Sequence, residues 1–218
     1  MNPWEGKTSV FLKTVTNMVI LNLLWVICSL PVMTIGPSTA AMYGVIRKWH
    51  LYKDESVIRS FIHEYRLFFK QGLMVGTPWI FLGLLLLLDA YFFLLVPSNL
   101  KVVLIVITVT AFILYLMTSA LLFSILVHYQ TKGWGLVKQA FTFSVIDGKT
   151  TFAIILMWIG AVMVLFYAPL TVFVIVVPVS MISFRFSMIS LEKVGRLPKI
   201  QSNYFPNKTG IDSHSVKF

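Results

Sequence analysis

Acidic residues are scarce in this 218-residue chain: eight Asp and Glu stand against 18 Lys and Arg. They are too scattered to nominate a general acid and base. Cysteine is almost missing, since Cys28 is the only one and lies inside an apolar stretch. That excludes a disulfide within the chain and argues against a cysteine-based metal site. The four histidines, His50, His63, His128 and His214, show no HExxH or other ligand spacing. A Gly-rich phosphate loop is missing too, because Gly133-Trp134-Gly135 lacks the following Lys-Ser/Thr, and no G-x-S-x-G occurs. These shortages lead us to expect no enzyme, no metal and no cofactor.

What the chain has in excess is apolar surface. Hydrophobic residues make up 58% and charged residues only 12%, and mean hydropathy is +0.85. Those values belong to the membrane class. A net charge of +10 in a soluble protein would point to nucleic acid. Here the basic residues flank apolar spans and no recognition motif accompanies them, so the expected partner is the anionic inner leaflet of a bilayer.

The apolar stretches are Val15 to Met33, Leu73 to Val96, Val102 to Val127, and Thr151 to Leu191. The last is about twice the length needed to cross a bilayer as one helix. It therefore folds into two spans, with Tyr167-Ala168-Pro169 as the turn. The first stretch is not a cleavable signal, because its opening residues are polar and no small-residue cleavage site follows. Thr34 to Thr39 reads as a break followed by a helix from Ser38 to about His50, with Pro37 at its start. Gly36, Ala40 and Gly44 share one face of that helix, a small-residue row that lets another helix approach closely.

Two polar segments lie between spans. In Leu51 to Lys70, Val57, Ile58, Phe61, Ile62, Tyr65, Phe68 and Phe69 recur at helical spacing, while Arg59, His63, Glu64, Arg66 and Lys70 fill the other positions. This face either lies in the membrane interface or packs on the bundle. In His128 to Thr150, Leu136, Val137, Ala140, Phe141, Ser144 and Val145 mark the apolar face. The two segments align at an offset of 79 residues, which sets Lys70 on Lys149 and Trp79 on Trp158. Such an echo is consistent with a parallel repeat of the kind found in transport proteins, though interfacial residues mark any membrane protein.

The expected architecture is an all-α polytopic membrane helix bundle of about five transmembrane helices and two amphipathic cytoplasmic helices. Residues 1–197 form one transmembrane domain, and 198–218 form a polar, disordered tail. With five crossings, 15 of the 18 Lys and Arg fall on one side, which places the C-terminus in the cytoplasm. Arg59, Arg66, Lys70, Lys138 and Lys149 then lie at the membrane surface. The N-terminus would change sides if Met33 to Ile46 re-entered or crossed. Within the spans, Asp89 is the one carboxylate, either a group in a polar pocket or an interface residue, and Asn22 leads a polar stripe suited to interhelical hydrogen bonding.

The run Asn22-Leu23-Leu24-Trp25, then Pro31-Val32-Met33-Thr34-Ile35-Gly36, then Ala41-Met42-Tyr43 resembles the signature of the YesL-like family of bacterial integral membrane proteins. The likeness extends to Phe61 to Gln71 and to the order of spans, roughly residues 10 to 195. The family lacks an established activity. Its members stand beside genes for sugar importers, plant polysaccharide breakdown and two-component sensors in Gram-positive bacteria. The resemblance implies a non-enzymatic accessory or regulatory role in oligosaccharide uptake or sensing, with an importer permease or a sensor kinase as partner. The competing expectation is a small transporter or channel that uses Asp89 in a polar pocket.

Overall fold

A computed structural model describes residues 3–52, 56–95, 101–128 and 133–195, and every extended element in them is helical. The helices are α1 (Pro3–Ser29), α2 (Ile35–Tyr52), α3 (Val57–Gln71), α4 (Thr77–Leu95), α5 (Lys101–His128), α6 (Trp134–Ile146), α7 (Gly148–Tyr167) and α8 (Val172–Gly195). Short 3-10 turns at Val32–Thr34 and Pro169–Thr171 precede α2 and α8. Five stretches are long and apolar enough to cross a membrane: Phe11–Ser29, Val57–Phe93, Lys101–His128, Gly148–Tyr167 and Pro169–Lys193. The chain is a multi-pass membrane bundle on that ground. The proposed tail at 198–218 lies outside the described residues.

The surface agrees with that reading. On α4, Phe81, Leu84, Leu88 and Phe92 recur at i, i+3, i+7 and i+11 and are each more than half exposed. A soluble helix turns such a stripe inward. Here the inner face carries Trp79 and Gly83 instead, so the larger apolar side chains are left for lipid.

The core sits around α2, whose residues Gly36 to Ser38 and Ala40 to Ile46 are all buried. Contacts fix how the helices run. Asn22 on α1 reaches Val172 at the start of α8, and the Met33 carbonyl accepts a 2.8 Å bond from Thr77 at the start of α4. Trp79 on α4 meets Ser119 late in α5. Tyr43 on α2 touches both Phe123 of α5 and Phe184 of α8. Taken together, α1 descends beside α8 toward the end where α3 and α6 lie. Helix α2 starts inside the bundle and finishes at that same end. The first apolar stretch therefore crosses once, and α2 does not form a separate crossing.

Helix α2 opens at Ile35 and not at Ser38, and the start of the second span also differs from the sequence reading. Leu73 was expected to open a span distinct from the amphipathic helix, whereas α3 continues into α4 through a π-helical segment, Gly72–Gly76. The reason is the packing of Gly36 and Pro37 against that segment. A Cβ on Gly36 would stand 2.5 Å from the Gly72 carbonyl oxygen and 3.0 Å from Gly76 Cα. Backbone meets backbone there, and a widened turn accommodates the approach without breaking the helix.

Candidate functional site

Among the described residues, ionisable side chains gather where the end of α2 meets α3 and the last turn of α5. Glu64 on α3 is only 1% exposed. Gly44 makes the space for it, since a Cβ on Gly44 would stand 2.5 Å from Glu64 Oε2. Lys48 Nζ lies 2.9 Å from Glu64 Oε1, and Arg47 Nη2 lies 3.9 Å from Oε2. The other Arg47 nitrogen, Nη1, donates to the Val127 carbonyl. That carbonyl belongs to the final turn of α5, where carbonyls lack helical partners and the helix dipole favours a cation. One buried carboxylate thus ties three helices together.

The sequence reading put Glu64 on the polar side of α3. The buried seam is instead Val57, Ser60, Phe61, Glu64 and Phe68, while Ile58, Ile62 and Phe69 from the expected apolar face are exposed. The spacing 57–61–64–68 is a heptad-like seam that Glu64 interrupts. Helix α6 shows the same rotation. Its buried face is Leu136, Gln139, Ala140, Phe143 and Ser144, and Phe141 and Val145 turn outward.

Outside the knot, Lys48, Ser56, Arg59, Ser60 and His63 line a polar groove. Arg59, Arg66, Lys70, Lys138 and Lys149 are all exposed, on α3, α6 and the first turn of α7. Gly36, Ala40 and Gly44 are all buried on α2. The first faces Gly72 and Gly76, and the last faces Glu64.

Asn22 is fully buried and its Nδ2 donates to the Val172 carbonyl at 2.9 Å. Asp89 is half-buried on α4. An apolar groove between α4, α5 and α6, with Trp79, Leu86, Leu114, Tyr115 and Phe141 in its walls and Lys138 at its edge, does not include it. Among the described residues no three His, Cys, Asp or Glu side chains gather in a way that would hold a metal ion.

A further polar feature escaped the sequence reading. Ser180, Ser183, Ser187 and Ser190 lie along one face of α8, each fully buried. Other hydroxyls of the bundle turn back onto their own helix, as Thr118 does to Leu114 and Ser119 to Tyr115. The seryl spacing of three and four is legible in the chain. Near the foot of this row stands Asp147, which precedes α7 and lies 3.7 Å from Lys193 Nζ. Burial pushes its pKa up, but hydrogen bonds from Thr150 and Ser190 and the Lys193 charge outweigh that and hold it below the usual carboxylate value.

The family-like run forms the corner between α1 and α2. Trp25 Nε1 donates to Thr39 Oγ1 at 3.2 Å. Thr34 Oγ1 sits 2.6 Å from the Cys28 carbonyl and 2.7 Å from that of Pro31. Gly36 meets Gly76, and Tyr43 lies between two phenyl rings. These residues build the corner that seats α2 in the bundle.

Residues 18–90 match a family described as "Protein of unknown function, DUF624". The chain is 31% identical to the uncharacterized protein YesV of Bacillus subtilis over 133 residues, which cover 61% of this chain and 64% of YesV. It is 27% identical to the uncharacterized protein YteU of the same organism over 169 residues, 75% of each chain. The match thus spans a little under two thirds of YesV. No solved structure matches.

Proposed function

We propose that this chain is a non-enzymatic accessory or regulatory subunit of the cell membrane that contacts another membrane protein in oligosaccharide uptake or sensing. The observation that supports it is where the ionisable groups go. Glu64 and Asp147 bind helix to helix through Lys48, Arg47 and Lys193. The exposed cations Arg59, Arg66, Lys70, Lys138 and Lys149 border the α3 and α6 end. A basic rim of this kind faces the cytoplasm and its anionic leaflet. The carbohydrate link rests on the YesL-like resemblance, and the partner it favours is an importer permease or a sensor kinase. Affinity purification of the tagged protein in mild detergent tests the reading. Recovery of such a partner is expected, and a chain that emerges alone contradicts it.

The second reading is a small transporter or channel, favoured by the buried hydroxyl row on α8 and by the carboxylate of Asp89. Solute flux in reconstituted vesicles that falls in Asp89→Asn would support it. Flux absent from the native chain would remove it.

A further inference from the structure

The apolar groove between α4, α5 and α6 has a volume of about 610 Å³. Trp79, Leu82 and Leu86 line it from α4, and Ala111, Leu114 and Thr118 from α5. Trp79 and Thr118 stand at the α6 end, and Leu86 and Ala111 lie deepest. Each of these stretches rises roughly 10 Å, most of one leaflet of a hydrocarbon core about 30 Å thick. Helix α6 brings Trp134, Lys138 and Phe141, spaced by four and three on one face, to the mouth. We infer that this groove seats an acyl chain of an anionic phospholipid, with the headgroup phosphate held at Lys138.

The walls suit a hydrocarbon chain and offer little to a polar solute. Trp79 Nε1 donates to Ser119 Oγ at 2.8 Å, and Ser119 donates in turn to the Tyr115 carbonyl at 2.7 Å. Thr118 donates to the Leu114 carbonyl at 2.9 Å. These hydrogen bonds are therefore spent within the protein. The Trp79 and Tyr115 rings stack with centroids 5.1 Å apart, and Gly83 leaves room for Tyr115. Leu82, Leu114 and Phe141 stay 38%, 42% and 40% exposed, so the groove opens sideways to lipid.

Of the lining residues only Lys138 is charged, and it is exposed. Among the described residues no carboxylate lies within ion-pair reach of it: Glu64 and Asp147 are held by other cations. Asp89 stands about a turn beyond Leu86, past the lining residues. Residues 129–132, which lead into α6, add Lys132 and no acidic residue. Trp134 is 80% exposed, an aromatic ring beside a lysine as found at headgroup depth. A basic group over a slot between transmembrane helices selects an acidic headgroup. An apolar partner helix in the same slot would leave the ammonium without a counter-charge.

The test takes the full chain, delipidated in detergent, and counts bound lipid by native mass spectrometry. Phosphatidylglycerol and phosphatidylcholine of equal chain length are the probes. One phosphatidylglycerol per chain should bind ahead of phosphatidylcholine, whose choline cancels the phosphate charge. Lys138→Gln should weaken that first site about fivefold, the worth of one basic residue near an anionic surface, at an unchanged melting temperature. Ala111→Phe, which fills the groove, should lose the site for both lipids. Lys149→Gln, at the same end but outside the groove, should keep it. Equal affinity for the two lipids, a first site that Lys138→Gln leaves intact, or one that Lys149→Gln weakens as much, overturns the inference. So does a folded Ala111→Phe chain that retains the lipid; if that variant does not fold, the two lysine variants decide alone. Chains that associate on delipidation and separate in Ala111→Phe would give the groove to a second copy and overturn it.

Discussion

Gly36 and Gly44 occupy one row of small residues, yet their neighbours differ in kind. A methyl group on Gly36 meets the carbonyl of Gly72 and the backbone of Gly76, which cannot move without shifting α3 and α4. A methyl group on Gly44 meets the side chain of Glu64, which can rotate at the expense of its ion pairs. Gly36→Ala is expected to destabilise the bundle by about 1–3 kcal/mol, the usual range for overpacking, and Gly44→Ala by less. Thermal melts in detergent compare the two, and a Gly44→Ala variant that melts lower than Gly36→Ala contradicts the assignment. Glu64→Gln should cost about 1–3 kcal/mol, because Lys48 and Arg47 lose their buried counter-charge; a neutral result would mean the knot does not tie these helices. The row of small residues was legible from spacing alone. The burial of Glu64 was not, since a carboxylate among Arg and His reads as solvated until the helix it faces is known.

At the level of elements, the four apolar stretches, the last of them long enough for two spans, were plain because a bilayer demands runs of about 20 apolar residues. The turn at Tyr167-Ala168-Pro169 followed from length and a proline, and α7 does end at Tyr167 with a 3-10 turn from Pro169. The continuity of α3 with α4 was hidden, because it depends on a contact with Gly36 that lies far off in sequence. The start of α7 and the end of α8 meet through Asp147 and Lys193, and this gives a pH dependence. The folded-state pKa of Asp147 is depressed, so its contribution is fully present above the unfolded carboxylate value near 4 and is lost as pH falls through the lower folded value. Asp147→Asn should remove this part of the acid sensitivity while lowering stability at neutral pH. Melting curves from pH 7 to pH 3 check it, and a variant with the native acid profile contradicts it.

Across the whole molecule, the 79-residue echo acquires a structural counterpart. Buried Val57, Ser60, Phe61 and Glu64 on α3 correspond to buried Leu136, Gln139, Ala140 and Phe143 on α6. Each of these helices packs chiefly on the helix before it, α3 on α2 and α6 on α5. The interface residues that suggested the echo could have recurred by chance, but a shared register of burial reflects a shared mode of packing. Both copies bring their basic residues to one end of the bundle, and the end of α4, the start of α5 and the turn between α7 and α8 lie at the other. In the proposed orientation this basic end faces the cytoplasm. Cysteine accessibility on intact cells tests it most directly, in a Cys28→Ser background, with Leu170→Cys in the α7–α8 turn and Arg66→Cys on α3. A membrane-impermeant maleimide should label Leu170→Cys at once and Arg66→Cys only after lysis; labelling of Arg66→Cys on intact cells, with Leu170→Cys protected, would contradict the account.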